Sequence, residues 1–273
     1  MAEIDTFDIF PRGFRQRVRR TRGPGPSLVL AHGFGDDGAC FASFMQRFGE
    51  DHDIVAIDAR GHGGSALPED GDGSPQALAD DVLAVMDALG LRAPILCGHS
   101  MGALTVLGVA ALRPERVSAL VLEDPPPRWQ ADALSPSDEA AWRSGTRGWL
   151  EGLRPLGVEA IVAQQRRAAP TWPEVDLAPW ARSKLAFDLA FIERRELRLS
   201  GPVIALENVT MPTLLVTGDP ALGGLVTPEA AADFRARVPQ AEVARIEGAG
   251  HSVRRDQHEA YSTVVRDFLA RLR

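Results

Sequence analysis

Apolar residues in this chain fall into short solid runs, separated by stretches in which they recur at helical spacing. Ser27-Leu28-Val29-Leu30-Ala31, Ile54-Val55-Ala56-Ile57-Asp58, Pro94-Ile95-Leu96-Cys97 and residues 117–122 and 213–217 form the solid runs, and residues 242–246, with Glu242 and Arg245 among them, read as a last strand. Runs of this length without polar alternation are the mark of strands buried on both faces. Between them, residues 39–48, 75–89, 103–112, 228–237 and 256–272 read as helices. In the second of these, Leu78, Val82, Val85, Met86 and Leu89 share one face, and Thr227-Pro228 opens the fourth with a cap and a first-turn proline. Strand-helix alternation of this kind predicts an α/β protein with a mainly parallel central sheet and helices on both faces. Ahead of it, residues 6–22 read as two strands joined near Pro11-Arg12-Gly13, with Arg15, Arg17 and Arg19 on a solvated face.

The rhythm stops after Glu123-Asp124-Pro125-Pro126-Pro127. From 128 to 209 the pattern is helical throughout, and all five tryptophans lie there, with Phe187 and Phe191 nearby. We therefore expect a core domain made of residues 1–127 and 210–273 and a helical cap at 128–209. Most of those rings should glue the cap together, while one or two, Trp172 among them, face a pocket.

Composition narrows the function. A chain of 273 residues suits an α/β domain carrying an insertion. The net charge of −7 argues against a nucleic-acid partner. Two cysteines, one in a helix and one in a buried run, fit a reducing compartment. Residues 1–14 hold no apolar segment of signal-peptide length, and no run is long enough to span a bilayer. A cytoplasmic monomer or homodimer acting on a small molecule, with no membrane partner, is the expectation. The histidines are scattered without ligand spacing and no glycine-rich dinucleotide fingerprint follows a strand, so neither metal nor cofactor is expected. Lys184 is the only lysine among many arginines, a bias that reads as genome composition.

Chemistry concentrates at Gly98-His99-Ser100-Met101-Gly102. A Gly-x-Ser-x-Gly between a buried strand and a helix is a nucleophile elbow, a turn so tight that small residues must flank it. Ser100 then sits at a helix N-terminus, where unpaired N–H groups favour developing negative charge. A serine hydroxyl needs a positioned base. His251, in Gly248-Ala249-Gly250-His251 between the last strand and last helix, is best placed to supply it. His99 points away from the hydroxyl, while His32 and His62 shape the pocket floor.

In order, His32-Gly33-Phe34-Gly35, Asp58-Ala59-Arg60-Gly61-His62-Gly63-Gly64-Ser65, the elbow and Gly250-His251 resemble the α/β-hydrolase superfamily along the whole chain apart from the cap. That resemblance implies a catalytic triad and an oxyanion hole formed by the backbone N–H groups of Phe34 and Met101, whose side chains line the pocket. It also implies two locations for the triad acid. One, after 213–217, offers only Asp219; the other, after 117–122, offers Glu123 and Asp124. We take Asp124 as the acid and keep Asp219 and Glu123 as alternatives. A serine at the elbow argues against the haloalkane dehalogenase and epoxide hydrolase branches, which place aspartate there.

The expected activity is a serine hydrolase cleaving a small carboxylic ester, lactone or activated amide through an acyl-enzyme. A C–C bond hydrolase or lyase on the same scaffold and a small-molecule receptor using the pocket are the alternatives. The pattern also resembles lactonases and the hydrolase acting on acetamidomethylene-succinate. Such a dicarboxylate needs a basic pocket, for which Arg143, Arg147, Arg166, Arg167 and Arg182 in the cap are candidates, Arg166 and Arg167 foremost.

Overall fold

A computed structural model of the chain describes residues 2–69, 71–129, 136–194 and 204–272. Its sheet has eight strands: β1 (Asp5–Ile9), β2 (Gln16–Arg20), β3 (Gly25–Ala31), β4 (His52–Ile57), β5 (Ile95–His99), β6 (Ala119–Glu123), β7 (Thr213–Thr217) and β8 (Ala241–Arg245). They run in the order β1-β2-β4-β3-β5-β6-β7-β8, antiparallel at the β1–β2 and β2–β4 pairs and parallel across the rest. Every residue of β5, β6 and β7 is buried, as uninterrupted apolar runs require when helices cover both faces.

The helices are α1 (Ala42–Phe48), α2 (Pro75–Ala88), α3 (Met101–Leu112), α4 (Pro136–Leu153), α5 (Gly157–Ala168), α6 (Glu174–Ala186), α7 (Ala190–Arg194), α8 (Pro228–Arg237), α9 (Val253–Asp256) and α10 (His258–Arg271). On one face α2, α3 and α8 pack residues such as Val82, Val106 and Phe234 onto Val29, Leu120 and Leu215. On the other, α1 and α10 bring Phe44, Val265 and Phe268 onto Leu30, Ile54 and Val121. Buried on nearly all sides, α3 carries small residues that let it lie close to the sheet and to α2. Among the described residues no helix is long and apolar enough to cross a membrane.

Two expectations are corrected here. Trp129, placed with the cap by its sequence position, meets Phe234 edge to face at 5.0 Å and donates from Nε1 to Ala230 O (3.3 Å) in the main core. Of the period-two arginines, Arg15 is exposed as expected, but Arg17 and Arg19 are taken up in ion pairs. Arg17 forms a bidentate pair with Asp8 (2.8 and 2.9 Å), and Arg19, largely covered, binds the fully buried Asp58. Asp58 also accepts the N–H groups of Gly38 (2.7 Å) and Gly64 (2.8 Å), so β2 braces the two loops flanking the candidate site. A buried carboxylate needs such partners, and strand arginines are long enough to reach it.

Candidate active site

Ser100 occupies the single residue between the end of β5 and the start of α3, at φ 52° and ψ −115°. A non-glycine residue in that region stores about 1–3 kcal/mol of strain, retained where the surroundings enforce it. The enforcement is steric. A Cβ on Gly102 would lie 2.0 Å from Ala31 O, and one on Gly98 would lie 2.4 Å from Gly102 O. The Ser100 N–H is spent on Glu123 O (2.9 Å). Its hydroxyl makes no hydrogen bond to the described residues.

His251 is held at both ends. Its Nδ1 lies 2.7 Å from Asp124 Oδ2, and its carbonyl accepts Nε2–H of His99 at 3.0 Å. Because a carboxylate only accepts, Nδ1 carries the proton and the Nε2 lone pair of His251 is left for chemistry. His99 must be the Nε2–H tautomer for the same reason. Burial, with Arg254 and His251 adding to it, pushes its pKa well below the usual imidazole value, so it stays neutral. This backbone strut was missed from the sequence, where His99 figured only as a side chain turned away from the hydroxyl.

Asp124 is fully buried at φ 41°, a left-handed conformation that aspartate and asparagine tolerate better than most residues. Its Oδ2 also accepts Leu225 N (2.8 Å) and its Oδ1 accepts Val226 N (3.1 Å). The other two candidate acids go elsewhere. Asp219 caps a short turn through Ala221 N (2.9 Å) and pairs with Arg245 (3.0 Å) at the surface. Glu123 projects from the opposite face of β6 and accepts Arg254 N (2.9 Å) and Nη1 (3.0 Å). Burial raises its pKa, and Arg254 only partly opposes this.

The turn carrying Phe34 is shaped by its own backbone and by His32. Asp36 N donates to Gly33 O (3.1 Å), and His32 bridges the turn to the next loop, giving Nδ1–H to Gly33 O (2.8 Å) and accepting Ala59 N at Nε2 (2.9 Å). Burial lowers the His32 pKa and keeps it neutral for this dual role. Met101 is the first residue of α3, so its N–H has no partner within the helix. The side chains of Phe34 and Met101 join an apolar wall with Leu78, Leu150, Phe187 and Phe191. Phe34 lies 5.0 Å from the rings of both Trp142 and Phe187.

Trp172, Arg166 and Arg167, singled out from the sequence as pocket residues, behave differently. Trp172 gives its Nε1–H to Asp256 Oδ1 (2.7 Å) and stacks under Arg255 at 4.7 Å, while Asp256 Oδ2 takes the N–H of Gly250 (2.8 Å). Its ring thus supports the loop bearing His251. Arg166 is exposed and paired with Glu174, and Arg167 beside it is exposed too. Neither belongs to the wall around Phe34 and Met101. Sequence position alone could not say which way the last turn of α5 faces.

Behind the site runs a buried charge network that sequence reasoning did not find. Asp36 meets Lys184 (2.5 Å), Arg255 (2.8 Å) and Arg254 (3.7 Å). Burial pushes its carboxyl up, but Arg255, Lys184 and Arg254 overcome this and hold it well below the usual carboxylate range. Arg254→Met strands Glu123 without its ion partner and is expected to destabilise the fold by about 3 kcal/mol or more. Equilibrium urea unfolding measures this, and Glu123→Gln in the same background should recover part of the loss.

The chain belongs to the family with the alpha/beta hydrolase fold, which it matches over residues 26–253. Among its relatives, N-formylmaleamate deformylase of Pseudomonas putida is 29% identical over 267 residues, covering 96% of this chain and 95% of that protein. The 2-(acetamidomethylene)succinate hydrolase of Mesorhizobium japonicum is 31% identical over 262 residues, covering 92% and 90%. The crystal structure of the enol-lactonase from Burkholderia xenovorans superposes with a TM-score of 0.78 at 22% identity, over 97% of this chain and all of that one. The protein is a hydrolase of this family.

Proposed function

We propose that the protein is a serine hydrolase that cleaves a small carboxylic ester, lactone or activated amide by way of an acyl-enzyme. The observation that carries this reading is the 2.7 Å contact between His251 Nδ1 and buried Asp124, on the sheet edge where the elbow lifts Ser100. In this mechanism His251 Nε2 takes the Ser100 proton as Oγ bonds to the substrate carbonyl carbon. The carbonyl oxygen becomes an oxyanion facing the N–H groups of Phe34 and Met101. Collapse breaks the bond to the leaving alcohol or amine, which takes the proton from His251. Water then gives a proton to His251 and its oxygen to the acyl carbon; the carboxylic acid departs and Ser100 regains its hydrogen. Asp124 fixes the imidazole tautomer and stabilises the imidazolium in both halves.

Supporting a small, uncharged acyl group is the apolar character of the wall around Phe34 and Met101. The cap arginines lend no support to a dicarboxylate. Arg166 binds Glu174, Arg147 binds Glu193 (2.9 Å) and Arg143 binds Glu139 (2.7 Å). We further assign α4 to α7, the described helices of the expected 128–209 segment, to a cap over the pocket, and the protein to the cytoplasm; residues 130–135 and 195–203 lie outside the described residues.

A fluorophosphonate probe tests the reading, since it captures a serine only when base and oxyanion donors are aligned. Intact-mass analysis is expected to find one adduct, mapped by peptide sequencing to Ser100 and absent from Ser100→Ala. Stoichiometric, non-turnover binding of small esters without adduct formation would instead identify a receptor. Cleavage of a C–C substrate with p-nitrophenyl esters untouched would identify the other enzymatic branch.

A further inference from the structure

Lys184 is the chain's only lysine, and it is 2% exposed. It is carried on α6, whose seat on the core is polar. Asp176 of that helix accepts Ser43 N (2.9 Å) and Ser43 Oγ–H (2.6 Å), and the Cys40 thiol donates to Ser183 Oγ (3.5 Å). From there the Lys184 ammonium reaches Gly35 O (2.8 Å), Asp36 Oδ1 (2.5 Å) and Ser183 Oγ (3.3 Å). Its three donors are accounted for, and the ring of Trp180 lies 5.0 Å away.

Stability gives no reason for such an arrangement. Burying an ammonium and a carboxylate costs several kcal/mol per ion, and well-packed apolar residues in their place are often equally or more stable. What the pair supplies is position. Gly35 O and the Asp36 carboxylate are the acceptors presented by the turn whose opening residues are Gly33 and Phe34. Lys184 clamps them from the cap, while Arg255 grips the other oxygen of Asp36 from the segment that follows His251.

We propose that Lys184 is a positioning residue: its ammonium, delivered by the docked cap, holds the 33–36 turn so that the Phe34 N–H aims at the developing oxyanion. The proposal rests on the reading of Phe34 as an oxyanion donor. A displaced donor weakens the transition state far more than the ground state. Lys184→Met, close in size and uncharged, is therefore expected to lower kcat for p-nitrophenyl acetate about 10- to 100-fold, per active site titrated, with KM little changed. Lys184→Gln keeps one N–H donor toward Gly35 O and should recover part of the rate. A kcat within about twofold of the wild type, whatever happens to Tm, overturns the proposal.

A measurement on the unmodified chain stands if these variants fail to fold. Protein labelled with 15N at the lysine side chain gives a single Nζ resonance. Phosphonylation of Ser100 places an oxygen in the oxyanion hole, and the resonance is expected to move by more than its line width. An unmoved resonance in fully phosphonylated protein overturns the proposal. Failure of wild-type protein to hydrolyse esters or to be phosphonylated at all would instead sink the functional reading on which it rests.

Discussion

Ser100→Ala is expected to reduce kcat for an activated ester by about a million-fold, with the fold and its stability unchanged. The size of the loss follows from the covalent route: without Oγ there is no acyl-enzyme, and only the oxyanion donors and pocket remain to favour attack by water. Intact folding follows from local geometry. The Ser100 hydroxyl makes no hydrogen bond to the described residues, so deleting it strands no partner. Alanine must adopt the same φ of 52° and pays the same strain, because Gly98 and Gly102 hold the turn whatever side chain sits between them. Steady-state assays and thermal melts on the same preparation check both halves. A variant retaining more than about a thousandth of wild-type kcat would show that Ser100 is not the nucleophile.

The elements read most sharply from the chain are those whose signals are local. β7 and α8 begin and end at the residues expected, because an apolar run bounded by proline and glycine, and a Thr-Pro helix start, need no tertiary information. The helix expected over 256–272 is α10, and the short α9 that precedes it across Gln257 was not foreseen, since no glycine or proline announces the break. What the sequence could not show were the partners of long side chains. Trp129 falls within the expected 128–209 cap yet packs on α8, since its indole reaches a core helix from 101 residues away. Lys184 looked like an accident of composition, although it and Asp36 meet across 148 residues. Likewise, strand periodicity placed Arg17 and Arg19 correctly on one face, but gave no hint that this face carries a buried aspartate. Motifs record what the backbone must do at one point, while ion networks depend on where distant backbones converge.

Asp124→Asn is expected to lower kcat about a thousand- to ten-thousand-fold, whereas Asp219→Asn should change it by less than about threefold. Asparagine is the informative replacement because it tolerates the φ of 41° that Asp124 adopts. In the wild type both carboxylate oxygens accept: Oδ2 takes His251 Nδ1–H and Leu225 N–H, and Oδ1 takes Val226 N–H. An asparagine can keep only one of these as an acceptor. Placing its NH2 at the Oδ2 position opposes two donors, so the amide should settle with its oxygen toward His251 and its NH2 against Val226 N–H. The imidazole then keeps its tautomer but loses the buried negative charge that stabilises the imidazolium as Ser100 gives up its proton. The predicted loss is accordingly in kcat, with KM little moved, and a modest destabilisation comes from the opposed donors near Val226. Asp219, half-buried, spends its carboxylate on Ala221 N–H and Arg245, and only its backbone N–H reaches the loop of His251, at Ala249 O (2.7 Å). Equal losses in the two variants would mean that neither carboxylate is the acid. A large loss in Asp219→Asn alone would require the 218–226 loop to rearrange when substrate binds.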